Sequence, residues 1–173
     1  RHIYCTDLTA KHTDNGLRIK SATTRGGMVE DVYFVNSVLD SVRVAYQFNL
    51  NWYPAYSYSE LPAGYHIDSV PQHWKSMLQK VVPAEKGIPQ TRDFYINNVK
   101  ITHAQKAFEV NGLTNSRIRN FNFSNSFVQA ATLGDMIFAE DWNFKQFRLV
   151  IEKKEEEKKK PAGGIEVEER LKG

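Results

Sequence analysis

The chain has one cysteine, Cys5, in 173 residues, so no disulfide can form within it. No apolar run approaches the roughly 18 residues that a membrane-spanning helix requires. Basic and acidic residues nearly cancel, 23 against 20, and the net charge of +3 lacks the strong basic excess of a dedicated nucleic-acid binder. The five histidines show no metal-ligand spacing with cysteine or carboxylate, so neither a metal nor a cofactor is expected. No signal peptide is visible and the first residue is Arg1. Helical periodicity is nearly absent. What remains is a chain with 41% hydrophobic residues, enough to bury one core.

Those apolar residues recur in columns. The segments "HIYCTD" at 2, "DVYFVNSV" at 31, "DFYINNVK" at 93, "NFNFSNSF" at 120 and "DWNFKQFR" at 141 align without gaps. Each begins with a polar residue. The next column reads Ile3, Val32, Phe94, Phe121, Trp142, and two residues on it reads Cys5, Phe34, Ile96, Phe123, Phe144. A third column, five residues after each start, reads Asp7, Asn36, Asn98, Asn125, Gln146. The offsets between starts are 29, 62, 27 and 21 residues; three fit one coil of a stacked repeat, and the long one calls for an insertion of roughly 35 residues within a coil. A second strand follows in most units: "GLRIKS" at 16, "VAYQFNL" at 44, "KAFEVNGL" at 106 and "GDMIFAED" at 134. Short strands in register, with Asn at the turns, predict an all-β chain built as a parallel β-helix solenoid. An antiparallel sandwich is the alternative, since it also has short strands and turns.

The solenoid is expected over residues 1–151. Residues 51–90 break the repeat with five of the six prolines and several aromatics, which reads as a long inserted loop. Residues 152–173, opening "EKKEEEKKKPAGG", read as a solvated charged tail. The chain starts in a core strand, with Ile3 and Cys5 already in register, so N-terminal coils are expected to be missing and the chain to be a fragment.

The stretch "HTDNGLRIKS", His12 to Ser21, carries the chemistry. Alternation turns Leu17 and Ile19 to one face and Arg18 and Lys20 to the other. A guanidinium fork can hold a carboxylate by two hydrogen bonds, and a lysine adds a point charge beside it. Arg25 is a third candidate in that patch, with solvation at its turn as the competing reading. Trp52, Tyr53, Tyr56 and Tyr58 could form a wall for stacking sugars, or simply hold the inserted loop against the strands. Cys5 falls on an inward column and reads as core. "RIRNFNFSNSF" mixes basic and aromatic residues as RNA-binding strands do, but its phenylalanines fall on the core columns.

Gly16-Leu17-Arg18-Ile19-Lys20-Ser21, followed by Arg25-Gly26-Gly27-Met28-Val29, resembles the C-terminal part of the polygalacturonase family of glycoside hydrolases, family 28. The stretch "VVPAEKGIPQTRDFYINNVKITHAQKAFEVNGL", 81–113, is similar to a later part of bacterial exo-acting members. The resemblance covers roughly residues 1–150. It implies a right-handed parallel β-helix of the pectin-lyase-like kind, hydrolysis of α-1,4-galacturonosyl links of pectin with inversion, and a monomer acting outside the cell or in the periplasm. It also implies that Arg18 and Lys20 bind the sugar carboxylate near the scissile bond.

The family's N-T-D, D-D and G-H-G motifs do not occur in this sequence. No catalytic residue is therefore assigned, and neither Asp14 nor His12 takes that role. Glycoside hydrolysis uses two carboxyl groups flanking the bond. The adjacent pairs Glu30-Asp31 and Glu140-Asp141 point to opposite faces of a strand and read as turn or surface carboxylates. The expected partner is an acidic polysaccharide such as galacturonan, with no nucleic acid and no membrane. The alternatives are a non-catalytic β-helix that binds acidic polysaccharide and a lyase of the same architecture.

Overall fold

Five apolar segments lie side by side and run the same way. In the computed structural model, which describes residues 1–57 and 60–152, β1 (Ile3–Thr6) pairs in parallel with β5 (Val32–Asp40). β5 pairs with β7 (Gln90–Asn111), β7 with β8 (Ile118–Ile137), and β8 with β9 (Ala139–Ile151), all in parallel. The registers Ile3↔Val32↔Phe94↔Phe121↔Trp142 and Cys5↔Phe34↔Ile96↔Phe123↔Phe144 are the two apolar columns read from the sequence. β2 (Thr9–Lys11) continues along β5. β3 (Asn15–Lys20) pairs with β6 (Val44–Asn49) and β6 with the far half of β7. β4 (Met28–Val29) pairs with Gln90 and Thr91 at the start of β7. The chain is thus predominantly parallel β-sheet. The sole antiparallel pairing among the described residues is an isolated bridge between Leu113 and Ser116, which leaves no basis for an antiparallel sandwich.

The polar residues that punctuate the columns have a backbone reason to be there. His2, Asp31, Asp93, Asn120 and Asp141 start the units, and Asp7, Asn36, Asn98, Asn125 and Gln146 follow five residues later. All ten have φ between 47° and 59°. A left-handed residue turns the chain sharply, and Asn and Asp adopt it more readily than other non-glycine residues. Their side chains also bond between rows. Asn98 Nδ2 donates to Asn36 Oδ1 at 3.0 Å, and Asn120 Nδ2 donates to Asp93 Oδ1 at 2.5 Å. A third such row, His12, Ser41 and His103, stops at β8. There the register shifts between Ile101 and Ala104, so β7 carries a bulge relative to β8.

The core is aromatic. Tyr46, Phe48, Phe94, Phe108, Phe121 and Phe123 are fully buried, and Phe123 stacks on Phe144 at 4.9 Å between ring centroids. Burying each such ring contributes about 1.5–3 kcal/mol. Outside the core, Tyr4, Tyr33 and Tyr95 form a stack of their own, with centroids 4.7 and 4.8 Å apart. Three sequence-based expectations are corrected. Ile3 and Phe144 sit in the inward columns but are 44% and 47% exposed, because β1 and β9 are terminal strands of the sheet. Glu30, read as a turn or surface carboxylate, is only 4% exposed, because Arg92 and Arg1 close over it as ion-pair partners.

Between β6 and β7 the chain leaves the sheet. This excursion holds α1 (Pro54–Ser57), α2 (Gln72–Leu78) and two single 3₁₀ turns, Ile67–Ser69 and Ala84–Gly87. It is anchored where Gly26 N–H donates to Gly87 O at 2.8 Å. Gly26 has φ 64°, and a Cβ there would lie 2.0 Å from the Lys86 carbonyl oxygen, so only glycine allows this approach. No helix among the described residues is long and apolar enough to cross a membrane. The expected charged tail, from 153 onward, lies outside the described residues, as does Tyr58.

Candidate functional site

Strand β3 is held down by its apolar side. Leu17 is buried and Ile19 is half-buried against the core. Gly16 lies so close to β6 that a Cβ would meet the Ala45 carbonyl oxygen at 2.5 Å. With that face committed, Arg18 and Lys20 emerge together on the other, as alternation requires. Ile19 is less buried than a central-strand residue because β3, like β1, ends the sheet.

Trp52 joins the two cations. Lys20 Nζ stands 4.0 Å from the Trp52 ring centroid and Arg18 Cζ stands 5.3 Å from it, both within cation–π range. The indole is placed by the chain around it. Trp52 N–H donates to Ser21 O at 3.0 Å, and Asn51 N–H donates to Asn49 Oδ1 at 2.9 Å. Asn51 Oδ1 in turn accepts from Ser57 Oγ at 2.7 Å and from Thr23 Oγ1 at 3.3 Å. Tyr53 adds a tilted ring contact to Trp52 at 5.9 Å and is half exposed. Trp52 therefore meets the cations directly, and its ring lends them negative π-density. The side chain of Tyr56 lies outside the described residues.

Arg25 follows another course. Its Nη2 donates to the carbonyl of Met77 in α2 at 2.7 Å, so it holds the excursion to the turn after β3.

The electrostatics of this face involve Asp14 together with residues that the sequence does not single out, Arg43, Gln47 and Glu109 among them. Arg18 lies in register with Gln47, Gln47 with Glu109, and Glu109 with Asp135. Asp14 Oδ2 is 3.7 Å from Arg18 Nη1, too far for a good hydrogen bond, whereas Arg43 Nε bonds Asp14 Oδ1 at 2.5 Å. That bond from Arg43 is the main reason the Asp14 carboxyl is held below its ordinary value. Arg43 also reaches Glu109 at 3.7 Å, and Glu109 accepts from Gln47 Nε2 at 2.5 Å. Arg18 Nε is buried without a hydrogen-bond partner. The arrangement therefore leaves Arg18 with spare donor capacity and assigns the nearby carboxylates chiefly to Arg43. The second strands as read from the sequence start one residue apart, Gly16 against Val44 and Lys106, so the row of Arg18, Gln47 and Glu109 emerges only from the pairing of Asn15 with Val44.

Neither adjacent carboxylate pair forms a dyad. Glu30 is buried against Arg92, whose Nη2 lies 2.7 Å from Oε2, and Glu140 faces Arg117 at 3.6 Å. Asp31 and Asp141 are both left-handed corner residues. Among the described residues no group of three or more His, Cys, Asp or Glu side chains is placed to hold a metal ion. What this face can do chemically is bind an anion beside an aromatic ring. No model of a known protein family matches the chain, and no curated protein does either.

Proposed function

We propose that the chain is the C-terminal part of a right-handed parallel β-helix of the polygalacturonase type, in which Arg18 and Lys20 hold the carboxylate of a galacturonan residue. One observation carries the reading: both cations lie against one indole, Trp52, on the outward face of β3. A uronic acid offers a carboxylate to the cations and a pyranose ring beside the aromatic residues. In-register parallel units with left-handed corners support the β-helix part of the reading.

On this proposal the substrate is pectin, acted on outside the cell, and hydrolysis with inversion depends on an acid and a base that this chain does not supply. The ion-paired state of Asp14, Glu30, Glu109 and Glu140 favours a second reading, a module that binds acidic polysaccharide without cleaving it. Titration of oligogalacturonate by calorimetry tests the binding. Arg18→Lys keeps the charge but removes the fork, so affinity should fall about tenfold or more, the worth of a charged hydrogen bond. Lys20→Ala should weaken binding too, and a methyl-esterified oligomer should respond to neither change. Unchanged affinity in both variants overturns the proposal. Reducing-sugar release from polygalacturonate above a heat-killed control would show that this chain carries the acid and base after all.

A further inference from the structure

Arg18 keeps an unused fork although a carboxylate of its own chain stands nearby. Among the described residues Asp14 is the one carboxylate in ion-pair range, 3.7 Å from Nη1, and the Arg18 side chain makes no hydrogen bond. The other carboxylates of this face stand off along the row. Gln47 separates Arg18 from Glu109, and Asp135 follows on the next strand. Neighbouring strands lie about 4.8 Å apart, which puts Glu109 and Asp135 roughly 10 and 14 Å along the row from Arg18. Whether Arg18 stays open is decided at Asp14.

Asp14 is committed elsewhere. Arg43 lies between β5 and β6, and the backbone sets it beside Asp14: Arg43 N–H donates to Thr13 O at 3.3 Å, and Val44 N–H donates to Asp14 O at 3.1 Å. From there Arg43 Nε donates to Asp14 Oδ1 at 2.5 Å and Nη2 to Oδ2 at 3.4 Å. Asn15 Nδ2 also donates to Oδ2, at 2.5 Å. On its far side Arg43 Nη1 reaches Glu109 at 3.7 Å, and Glu109 is tied down in turn by Gln47 Nε2 at 2.5 Å and Lys106 Nζ at 3.4 Å. The Arg43 guanidinium is thus fixed between two carboxylates, and both oxygens of Asp14 are taken. A hydrogen bond at 2.5 Å outcompetes a contact at 3.7 Å.

We propose that Arg43 is a positioning residue: it withholds Asp14 from Arg18 and so keeps the Arg18 fork open to an anion from outside. The proposal rests on the reading of Arg18 as an anion-binding residue. Without Arg43, Asp14 closes the gap to Arg18, and an incoming anion has to displace it first.

The test is a double-mutant cycle on the full chain, titrated with oligogalacturonate. Arg43→Gln should weaken binding about three- to fivefold, the worth of a partly exposed ion pair that the ligand must now break. Asp14→Asn alone should bind no more weakly than wild type, and in the Arg43→Gln background it should restore wild-type affinity. Asp135→Asn in that background is the control. It removes the same charge from the same face, out of reach of Arg18, and should restore less. Equal rescue by the two would reduce Arg43 to its charge and overturn the proposal, as would no rescue by Asp14→Asn.

NMR titration of the Asp14 carboxyl without ligand gives a second readout. In Arg18→Gln its midpoint should stay in place, because Arg43 holds it. In Arg43→Gln its midpoint should lie below that in the variant lacking both arginines, because Arg18 takes the carboxylate over. A large rise in Arg18→Gln would overturn the proposal, and so would equal midpoints in Arg43→Gln and Arg18→Gln/Arg43→Gln. Where Arg43→Gln does not fold, the Arg18→Gln titration still decides it. Absent binding of oligogalacturonate by the wild type would sink the β3 reading and leave the titrations to judge Arg43.

Discussion

The rings of Phe94 and Phe121 lie face to face, with centroids 4.3 Å apart and planes 6° from parallel. Trp142 extends the stack, 4.6 Å beyond Phe121, because the three residues share one register position. Phe121 is thus covered on both faces. Phe121→Ala should cost about 3–5 kcal/mol in urea unfolding, as large-to-small core changes do. A loss below about 1 kcal/mol would mean that the site collapses without penalty and the stack is not a principal part of the core.

Asn98 tests the left-handed corners. It has φ 53° and donates to Asn36 at 3.0 Å. Asn98→Gly keeps the backbone conformation and loses the amide bond, whereas Asn98→Val loses both. The valine variant should be the less stable by about 1–3 kcal/mol, the usual cost of a strained backbone residue. Equal stability of the two would remove the backbone argument for these rows.

Tyr46 is fully buried, and its hydroxyl has no partner. Burial pushes the phenol far above its ordinary value, so it stays neutral at any working pH. Tyr46→Phe deletes an unmatched polar atom without changing the packing. The variant should melt at the same temperature as the wild type or higher. A clear drop would reveal a buried water that the hydroxyl serves.

Asp40 sets an acid limit. His103 Nδ1 lies 2.6 Å from Oδ1 and Thr102 donates to the same oxygen at 2.8 Å, and these bonds hold the carboxyl well below its ordinary value of 3.8. A carboxyl depressed on folding stabilises the native state above the unfolded pKa and loses that contribution as pH falls toward the folded one. The urea midpoint should therefore drop as pH is lowered below about 4. Asp40→Asn should start lower at neutral pH and vary less across that range. A wild-type midpoint that stays flat down to about pH 2 would contradict this.

The repeat makes the registers legible in the sequence itself. Val32, Phe94, Phe121 and Trp142 recur at one position because each must fill the same slot of a stacked core, and Asn36, Asn98 and Asn125 recur because each turns the chain the same way. Pairings that occur once leave no such trace. Nothing in the sequence around Glu30 announces that Arg92, 62 residues later, buries it. The link from Arg25 to Met77 crosses 52 residues and depends on how the excursion folds back. Arg43 is invisible for the same reason, since its two carboxylates, Asp14 just before β3 and Glu109 on β7, are far apart in the sequence. Alternation was enough to pair Arg18 with Lys20. Placing Trp52 against them required the tertiary structure.

The corner residues also govern how a chain of this kind can change over evolutionary time. They fall five residues apart in unit after unit, at 2, 7 and 12, at 31, 36 and 41, and at 93, 98 and 103. Adding or deleting one residue between two of them would turn every following side chain of that strand to the opposite face. Changes in length are therefore tolerated where the chain has left the sheet, and the two segments that matter here are the excursion between β6 and β7 and the 112–117 turn. One of those segments carries Trp52, and the other holds Arg117 beside Arg92 and Arg119. Lineages built on this scaffold can vary what they recognise by lengthening or trimming those two segments, while the rows beneath keep their count.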